Sequence, residues 1–335
     1  MKDFIVVINH HDFSVNGTIL HDFLSIFTEP ERLLLLLPSG IDPSARYAAR
    51  TLFVCVPTRL SETQLAQFDY ERLFVFDYYD ENSLKWTEEN VRLFGTRARR
   101  YLKTSLDRKL DYKTTTGLLP IMLPPALSIE YRKRPALYKR LLNTISSPQK
   151  HDLTFLGSTT YARAENRPHY HQRIEWVREI IESGKYNFWG GLIELPYCTQ
   201  EQLEKKFGDL SRCYYGARQL KYPAFFSKLK ASRISLAPTG HARWTYRHLE
   251  GIYAGTVVVS TDLSNVDFLL EIPRERIVLV PDHKPVLPYV KKVLSDYKHY
   301  EAWIPENIRF MEEQLSDAAY SREKPGVFNK FLAQL

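Results

Sequence analysis

RISLAPTGHARWTYRHLEGIYAGTVVVS, residues 233–260, is the stretch of this 335-residue chain that reveals its fold. It begins with a short apolar run at 234–237 and ends with Thr and three Val at 256–259, whose β-branched side chains favour a strand over a helix. The segment between them is compatible with a helix, and Gly255 stands where a left-handed C-terminal cap belongs. The pattern predicts strand, loop, helix and strand, which is one βαβ unit of a parallel sheet.

Charged side chains share one face of the predicted helix. Arg243 and Arg247 are four residues apart, and Glu250 follows Arg247 by three. Ligands of α/β sheets collect outside the carboxyl ends of strands, where backbone N–H groups and the helix dipole favour anions. We expect the two arginines to bind a phosphate and Glu250 to accept hydrogen bonds from sugar hydroxyls. The alternative is a surface ion pair between Arg247 and Glu250, worth about 0.3 kcal/mol.

The same stretch resembles the C-terminal donor-binding segment of exostosin-like glycosyltransferases of the GT-B type. That family has a serine and an apolar strand, then Pro and Gly, then S/T-x-R-x-x-E, then a small residue, Gly and a second apolar strand. Here Thr245 stands at the hydroxyl position, Arg247 at the arginine and Glu250 at the acid. Thr256-Val257 departs from the family, which often has Cys or a small residue there, followed by an apolar residue and Pro. The likeness is close over residues 232–259 and loose over the rest of the C-terminal half.

The resemblance implies an α/β fold with two Rossmann-like domains facing a cleft (GT-B type). We predict an acceptor-side domain in residues 1–120, a linker in 121–150, a nucleotide-sugar-binding domain in 151–304 and a C-terminal helix in 305–335 that returns towards the first domain. The donor-binding residues implied within the matching stretch are Gly240, Arg243, Thr245, Tyr246, Arg247 and Glu250.

The N-terminal half alternates apolar strands with helices, as an α/β domain does. Strands are predicted at 4–8, 32–37, 52–56 and 73–76, and helices at 18–27 and 61–68, the second with Ser61 as its N-cap. Polar residues follow the first and fourth strands. Among them His11, Asp12 and Asp80 are candidates for the general base that deprotonates an acceptor hydroxyl. Asp80 has the alternative role of a helix cap.

A proline-rich stretch runs from the end of the predicted first domain into the linker, and the second domain begins with a strand. The stretch 117–125, GLLPIMLPP, has three prolines that we expect to end regular structure. After the strand at 152–156, a glycine and hydroxyl side chains precede a long helix, a setting that suits a phosphate or an acceptor sugar, although an N-cap cluster fits as well. The residues of this second candidate group are Gly157, Ser158, Thr159 and Arg163, with Arg167 and Arg173 adding positive charge.

Turn and cap signals subdivide the second domain further. Gly184 is expected to end the long helix, whose buried stripe is Ile174, Val177 and Ile181. Residues 187–191, NFWGG, predict a strand and a tight turn. Thr199 with Gln202 predicts a capping box.

The composition favours some cellular locations and binding partners over others. A hydrophobic fraction of 44% and a charged fraction of 25% are ordinary for a globular protein. No apolar run approaches the ~20 residues of a membrane helix, the N-terminus lacks a signal-peptide pattern, and the three cysteines are scattered. These features predict a cytoplasmic protein, with peripheral attachment to a membrane left open. A net charge of +7 favours acidic partners, namely nucleotide phosphates, an anionic glycan or an anionic membrane surface, with nucleic acid ranked below them.

The preferred interpretation is a glycosyltransferase that moves a sugar from a nucleotide-sugar donor to a glycan or glycoconjugate acceptor of polysaccharide or lipopolysaccharide type. It implies no cofactor and no metal, because GT-B enzymes generally act without a bound metal. Two alternatives stay open. One is a DNA-modifying glucosyltransferase of the GT-B fold, suggested by the basic charge, and the other is a non-catalytic glycan-binding protein on the same fold.

Overall fold

The computed structural model describes residues 1–9, 19–77, 92–95, 97–103, 120–122, 138–141, 143, 145, 148–158, 171–194, 199–216, 220–240, 243–266, 271–315 and 321–335. The chain forms two compact units. The first comprises Met1–Lys133, Asn265–Glu271 and Glu313–Leu335, and the second comprises Arg134–Ser264 and Ile272–Glu312.

The first unit contains a six-stranded parallel sheet. Its strands are β1 (Lys2–Val7), β2 (Leu33–Leu36), β3 (Tyr47–Cys55), β4 (Phe68–Asp77), β5 (Arg100–Lys103) and β6 (Pro120–Met122), in the order β2-β1-β3-β4-β5-β6. The helices described near these strands are α1 (Ile19–Phe27) and α2 (Glu62–Leu65). Parallel strands covered on both faces are continuously apolar, and the inner residues of β1, β3 and β4 are accordingly buried.

The strands predicted for the N-terminal half are confirmed, and so is the N-cap at Ser61. The Ser61 hydroxyl accepts from the N–H of Gln64 at 3.1 Å, and the Gln64 side chain accepts from the N–H of Ser61 at 2.9 Å. The expectation that prolines end regular structure is wrong at Pro120, which begins β6. A proline is tolerated there because β6 is the last strand in the order of the described sheet. The first residue of such a strand need not donate a backbone hydrogen bond to a neighbouring strand.

The second unit contains a five-stranded parallel sheet. Its strands are β7 (His151–Ser158), β8 (Phe188–Ile193), β9 (Ser232–Ala237), β10 (Val257–Thr261) and β11 (Val278–Val280), in the order β11-β10-β9-β7-β8. The helices described in it are α3 (Gln172–Ser183), α4 (Gln200–Phe207), α5 (Tyr222–Lys230), α6 (Tyr246–Ala254), α7 (Leu287–Ser295), α8 (Tyr297–Glu301) and α9 (Trp303–Leu315), whose residues from Glu313 onward belong to the first unit. The core of this unit is built around Trp176, Ile234 and Val259, which are buried.

The βαβ unit predicted from residues 233–260 is confirmed. β9 and β10 pair in parallel, with Ile234 beside Val257 and Ala237 beside Ser260, and α6 connects them. Gly255 ends α6 in the left-handed conformation with φ 74°, and Gly184 ends α3 in the same way with φ 59°.

Two further predictions for the second unit are tested by the structure. The capping box of α4 is confirmed, because the N–H of Thr199 donates to the Gln202 side chain at 2.9 Å and the Thr199 hydroxyl accepts from the N–H of Gln202 at 3.4 Å. The buried stripe of α3 includes Ile174 and Val177 as predicted. It continues through Ile180 rather than through Ile181, which is only partly buried.

Gly190 and Gly191 lie inside β8, so the tight turn predicted there is wrong. Their φ angles are 116° and 145°, which residues with a side chain rarely adopt. A Cβ on Gly190 would run into the carbonyl oxygen of Phe155, and one on Gly191 would run into that of Cys213. The two glycines therefore allow β8 to approach neighbouring backbone closely, a need that the sequence alone does not distinguish from a turn.

The C-terminal residues form α10 (Gly326–Leu332), which belongs to the first unit. The ring of Phe328 stacks on that of Phe27 with centroids 4.8 Å apart, and the ring of Phe331 meets that of Phe23 edge-on at 5.2 Å. The last segment of the chain is thus part of the core that α1 covers. None of the described helices has the length and apolar character needed to cross a lipid bilayer.

Strand order decides where a ligand would bind. In each sheet the second strand along the chain lies on one side of the first strand, and the third strand lies on its other side. The reversals lie between β1 and β3 in the first sheet and between β7 and β9 in the second. At such a switch point the connections leave in opposite directions and open a crevice at the carboxyl ends of the strands. The sequence-predicted loops after β1, β7 and β9 all follow strands that flank a switch point.

Candidate functional site

The switch point of the second sheet is bridged by side chains from the start of α3. The Gln172 side chain accepts from the N–H of Thr239 at 2.9 Å, and Arg173 Nε donates to the carbonyl of Thr239 at 3.1 Å. The Arg173 Nη1 group also donates to the carbonyl of Ser158, the last residue of β7. One guanidinium therefore joins the carboxyl end of β7 to the loop that follows β9.

Gly240 lies directly against this guanidinium. A Cβ at position 240 would collide with Arg173 Nη2 and would come within 3.2 Å of the Thr245 methyl group. A side chain at this position would therefore have to shift the end of the Arg173 side chain.

A buried histidine fixes the start of α6. Thr245 is the N-cap, and its N–H donates to His248 Nδ1 at 3.0 Å. The other ring nitrogen, Nε2, lies 2.7 Å from the hydroxyl of Ser260, which donates to the carbonyl of Thr261 at 2.9 Å. Burial lowers the pKa of His248 to about 3, so the ring is neutral. This imidazole ties the helix start to β10.

Acid should destabilise the fold through His248. The unfolded histidine has a pKa of about 6.5, so as the pH falls below that value the unfolded chain takes up a proton that the folded chain refuses. The stability that His248 contributes is complete above the unfolded pKa and declines by about 1.4 kcal/mol per pH unit towards the folded pKa. Urea unfolding between about pH 7 and pH 5 measures this slope.

The matched control is His283, which is exposed. Its φ of 61° is one that asparagine tolerates. His248→Asn should flatten the pH dependence, whereas His283→Asn should leave it as in the wild type. An unchanged slope in His248→Asn would contradict the assignment.

Arg247 forms an ion pair with Glu250, whose carboxylate is buried. Arg247 Nη1 lies 2.9 Å from Glu250 Oε2, and Glu250 Oε1 accepts from the Tyr222 hydroxyl at 3.2 Å. The Glu250 side chain is 7% exposed, whereas that of Arg247 is 28% exposed and lies 4.9 Å from the Phe225 ring centroid. Burial, with the Glu250 charge, raises the pKa of Tyr222, so its hydroxyl stays protonated and donates. The pair is thus held in place, and the Arg247 side chain stays partly exposed.

Arg243, in contrast, is paired with the carboxylate of Asp282, which was not among the predicted site residues. Its Nη1 and Nη2 donate to Asp282 Oδ1 and Oδ2 at 2.6 and 2.9 Å, and Nη1 also donates to the carbonyl of Asp262 at 3.1 Å. The Arg243 side chain is only 4% exposed. The two-pronged pair links the loop before α6 to the loop after β11. A phosphate could reach this arginine only in competition with Asp282.

The first unit carries a buried charge cluster that sequence reasoning also missed. Asp77 ends β4 and lies beside Lys103, the last residue of β5. Lys103 Nζ is 3.2 Å from Asp77 Oδ2, and the Tyr101 hydroxyl donates to the same oxygen at 2.6 Å. All three residues are fully buried. Charged residues at the ends of two apolar runs were the signal in the sequence, but their pairing depends on strand order.

The sequence matches no protein-family model, and it matches no curated protein sequence. Among solved structures, the chain is similar to Anabaena Alr3699/HepE in complex with UDP, with 11% identity, a TM-score of 0.53 and coverage of 100% of both chains. The same protein in complex with UDP and glucose gives 10% identity, a TM-score of 0.51 and coverage of 100% of both chains. An alpha1,3-fucosyltransferase gives 14% identity, a TM-score of 0.49 and coverage of 99% of this chain and 90% of that one.

The fold is of the GT-B type. The predicted class, an α/β protein with two Rossmann-like units, is therefore confirmed. At identities this low the likeness to solved structures concerns the fold alone, so the function has to be argued from the residues.

The described residues of the predicted donor site fall into three groups on the GT-B fold. Gly157 and Ser158 end β7, and Ser158 is joined through Arg173 to the loop that contains Gly240. Thr245 and Tyr246 start α6, and Arg247 with Glu250 follows within the same helix. Arg243 is paired with Asp282 instead. The predicted site residues that lie outside the described part of the chain are His11, Asp12, Asp80, Thr159 and Arg163.

Within the described ranges, no group of three or more His, Cys, Asp or Glu side chains is arranged to hold a metal ion. The charged side chains of α6 that belong to the predicted donor site are Arg247 and Glu250.

Proposed function

We propose that this protein is a glycosyltransferase of the exostosin-like group, which transfers a sugar from a nucleotide-sugar donor to a glycan or glycoconjugate acceptor. The observation that carries the proposal is the pair formed by Arg247 and Glu250 on α6. The helix follows a strand at the switch point, the acid is buried, and the arginine side chain is partly exposed. The HepE structures with the same fold were solved in complex with UDP, which supports a nucleotide ligand for this chain as well.

The chemistry of the transfer matches these groups. The bond between the anomeric carbon and the donor diphosphate breaks, the acceptor oxygen forms the new bond to that carbon, and a general base takes the acceptor proton. Negative charge grows on the departing diphosphate, where the Arg247 guanidinium and the N–H groups at the start of α6 would stabilise it. Glu250 has acceptor capacity left beyond its bonds to Arg247 and Tyr222, and we assign this capacity to the hydroxyls of the donor. His11, Asp12 and Asp80 remain our candidates for the base.

This proposal needs no metal or other cofactor, because arginine and helix N–H groups take up the diphosphate charge. We further propose that the enzyme acts in the cytoplasm on acceptors of polysaccharide or lipopolysaccharide type. Its net charge of +7 would favour acidic acceptors and peripheral contact with an anionic membrane surface.

A panel of nucleotide sugars tests the proposal directly. A donor that binds only the folded protein should stabilise it by about 2.7 kcal/mol when the donor concentration is about a hundred times its Kd. A melting curve detects a stabilisation of this size. The donor that raises the Tm is then incubated with bacterial glycans and, separately, with duplex DNA, and product formation is followed by mass spectrometry.

Sugar transfer to a glycan supports the proposal. Transfer to DNA would instead identify a DNA-modifying glucosyltransferase, and glycan binding without any turnover would identify a non-catalytic glycan-binding protein. A wild-type protein whose Tm is unchanged by every nucleotide sugar would overturn the proposal.

A further inference from the structure

We infer that Tyr222 is a positioning residue of the donor site, because its hydroxyl orients the Glu250 carboxylate that selects donors by their hydroxyl groups. The inference rests on the proposed function and deepens it. It names a determinant of donor specificity on α5, outside the stretch 232–259 on which the family resemblance depends. Tyr222 acts through Glu250 and is not itself assigned a contact with the ligand.

The start of α5 brings Tyr222 to the acid. Tyr222 is the first residue of this helix, and Pro223 follows it in the first turn, where the fixed φ of proline suits a helix start. Its ring lies 6.0 Å from the ring centroid of Phe225 and 6.4 Å from that of Tyr138. A ring packed against two others has little freedom, so the fold sets the direction in which the hydroxyl meets Glu250.

The two oxygens of the Glu250 carboxylate are held from two different helices. Oε1 accepts from Tyr222 on α5 at 3.2 Å, and Oε2 accepts from Arg247 on α6 at 2.9 Å. The last torsion of a glutamate side chain is broad, so a bond to one oxygen alone would leave the carboxylate able to turn. The second bond fixes its plane. A carboxylate has about four acceptor positions, and the fixed plane gives the remaining ones a defined direction towards ligand hydroxyls.

Phe225, one turn further along α5, supports the other half of the ion pair. Its ring centroid lies 4.9 Å from the guanidinium carbon of Arg247. Two α5 residues three apart therefore hold two α6 residues three apart, the hydroxyl on the acid and the ring on the cation. Removal of the Tyr222 hydroxyl leaves the contact between Phe225 and Arg247 in place, so it changes the orientation of the acid alone.

The hydroxyls that Glu250 binds belong either to the ribose of the nucleotide or to the sugar that is transferred. Three ligands separate these sources: the nucleotide sugar that stabilises the wild type, its nucleoside diphosphate, and the dideoxy form of that diphosphate, which lacks both ribose hydroxyls. The ratio of the diphosphate and dideoxy affinities defines the ribose preference. The ratio of the nucleotide-sugar and diphosphate affinities defines the sugar preference. Each preference compares two ligands on one protein sample, so a change in the folded fraction cancels.

Tyr222→Phe should reduce one of the two preferences and leave the other within about twofold of the wild type. The preference that Glu250 confers should be about tenfold or more in the wild type, because a hydrogen bond to a charged group is among the stronger ones. Without the Tyr222 hydroxyl the carboxylate can turn, and this preference should fall by about three- to tenfold. A reduced ribose preference identifies the ribose as the bound group, and a reduced sugar preference identifies the transferred sugar.

Tyr253→Phe is the matched control. Tyr253 is buried on α6, and its ring lies 5.3 Å from that of Tyr138, against which Tyr222 also packs. Among the residues that the structure describes, its hydroxyl has no hydrogen-bond partner. The variant therefore removes the same atom from the same aromatic cluster without affecting the acid, and both preferences should stay as in the wild type.

A second variant tests whether Tyr222 acts through the acid. Glu250→Gln removes the carboxylate itself and should reduce the same preference. Tyr222→Phe added to Glu250→Gln should then have no further effect on that preference, because the group that the hydroxyl orients is gone. A further loss in the double variant would contradict the inference, since Tyr222 would then act on the ligand by another route.

The remaining outcomes distinguish the inference from the function on which it rests. The inference is wrong if Tyr222→Phe leaves both preferences as they are in Tyr253→Phe. It is also wrong if the affinities for all three ligands fall by the same factor, because that pattern indicates a structural role. In both cases the wild type still binds the donor and the proposed function stands. A wild type that binds no nucleotide sugar overturns the proposed function, and Tyr222 loses its role with it.

Discussion

Lys103→Met should lower the free energy of unfolding by about 3–5 kcal/mol, because it removes the ammonium that is paired with the buried Asp77 carboxylate. Both side chains are fully buried, and the Tyr101 hydroxyl donates to the same carboxylate oxygen as Lys103. A neutral hydroxyl cannot replace an ammonium 3.2 Å away. Guanidinium chloride unfolding curves of the wild type and the variant measure the difference.

The control for this variant is an ion pair near the surface. Lys139 lies 2.9 Å from Glu312, and both side chains are substantially exposed. Lys139→Met should therefore cost less than about 1 kcal/mol. The double variant Asp77→Asn/Lys103→Met removes both charges and should regain part of the stability lost in Lys103→Met. Equal losses for Lys103→Met and Lys139→Met would contradict the buried-pair interpretation.

The sequence predicted those features that depend on a few neighbouring residues. The β-branched run at 256–259 predicted β10, Gly255 predicted the end of α6, and Ser61 and Thr199 predicted two helix starts. Each follows from local geometry, since side-chain branching, a positive φ and a side-chain cap act within one turn of chain. For this reason the α/β class could be predicted without knowledge of the tertiary structure.

Pairings between distant residues could not be predicted in the same way. Asp282 is 39 residues from Arg243, and the strands that precede them, β11 and β9, lie on either side of β10 in the sheet. Asp77 and Lys103 are 26 residues apart and meet through the register of β4 and β5. In each case the residue types indicate only that a partner is needed, and the topology decides which one it is.

The same distinction explains the outcome for the candidate site. The spacing of Arg247 and Glu250 follows from helix periodicity, and the structure shows the two in contact. Arg243 is four residues before Arg247, which is also a helical spacing. However, it precedes the N-cap Thr245 and so lies in the loop before α6, where its side chain pairs with Asp282. The helix was predicted to include Arg243 but begins at Tyr246, and this boundary changes the partner of Arg243.

Arg247→Lys should weaken binding of the nucleotide-sugar donor by about ten- to a hundredfold, although it keeps the positive charge. An ammonium lacks the two-pronged donor geometry that binds a diphosphate. The melting temperature without donor should change little, because the Arg247 side chain is 28% exposed and a lysine can still approach Glu250. Titration of the donor into wild type and variant, with melting curves of both, measures the two effects separately.

The control Arg276→Lys tests whether the loss is specific to the site. Arg276 resembles Arg247 closely, since it is 21% exposed, pairs with Glu275 at 2.9 Å and lies 5.6 Å from the ring centroid of Phe310. Its substitution should leave donor affinity per folded molecule unchanged. If instead Arg247 serves mainly as the partner of Glu250 within the fold, Arg247→Lys should lower the melting temperature and bind donor as tightly as the wild type does. That result would remove Arg247 from the donor site and, with it, the observation on which the glycosyltransferase proposal depends most.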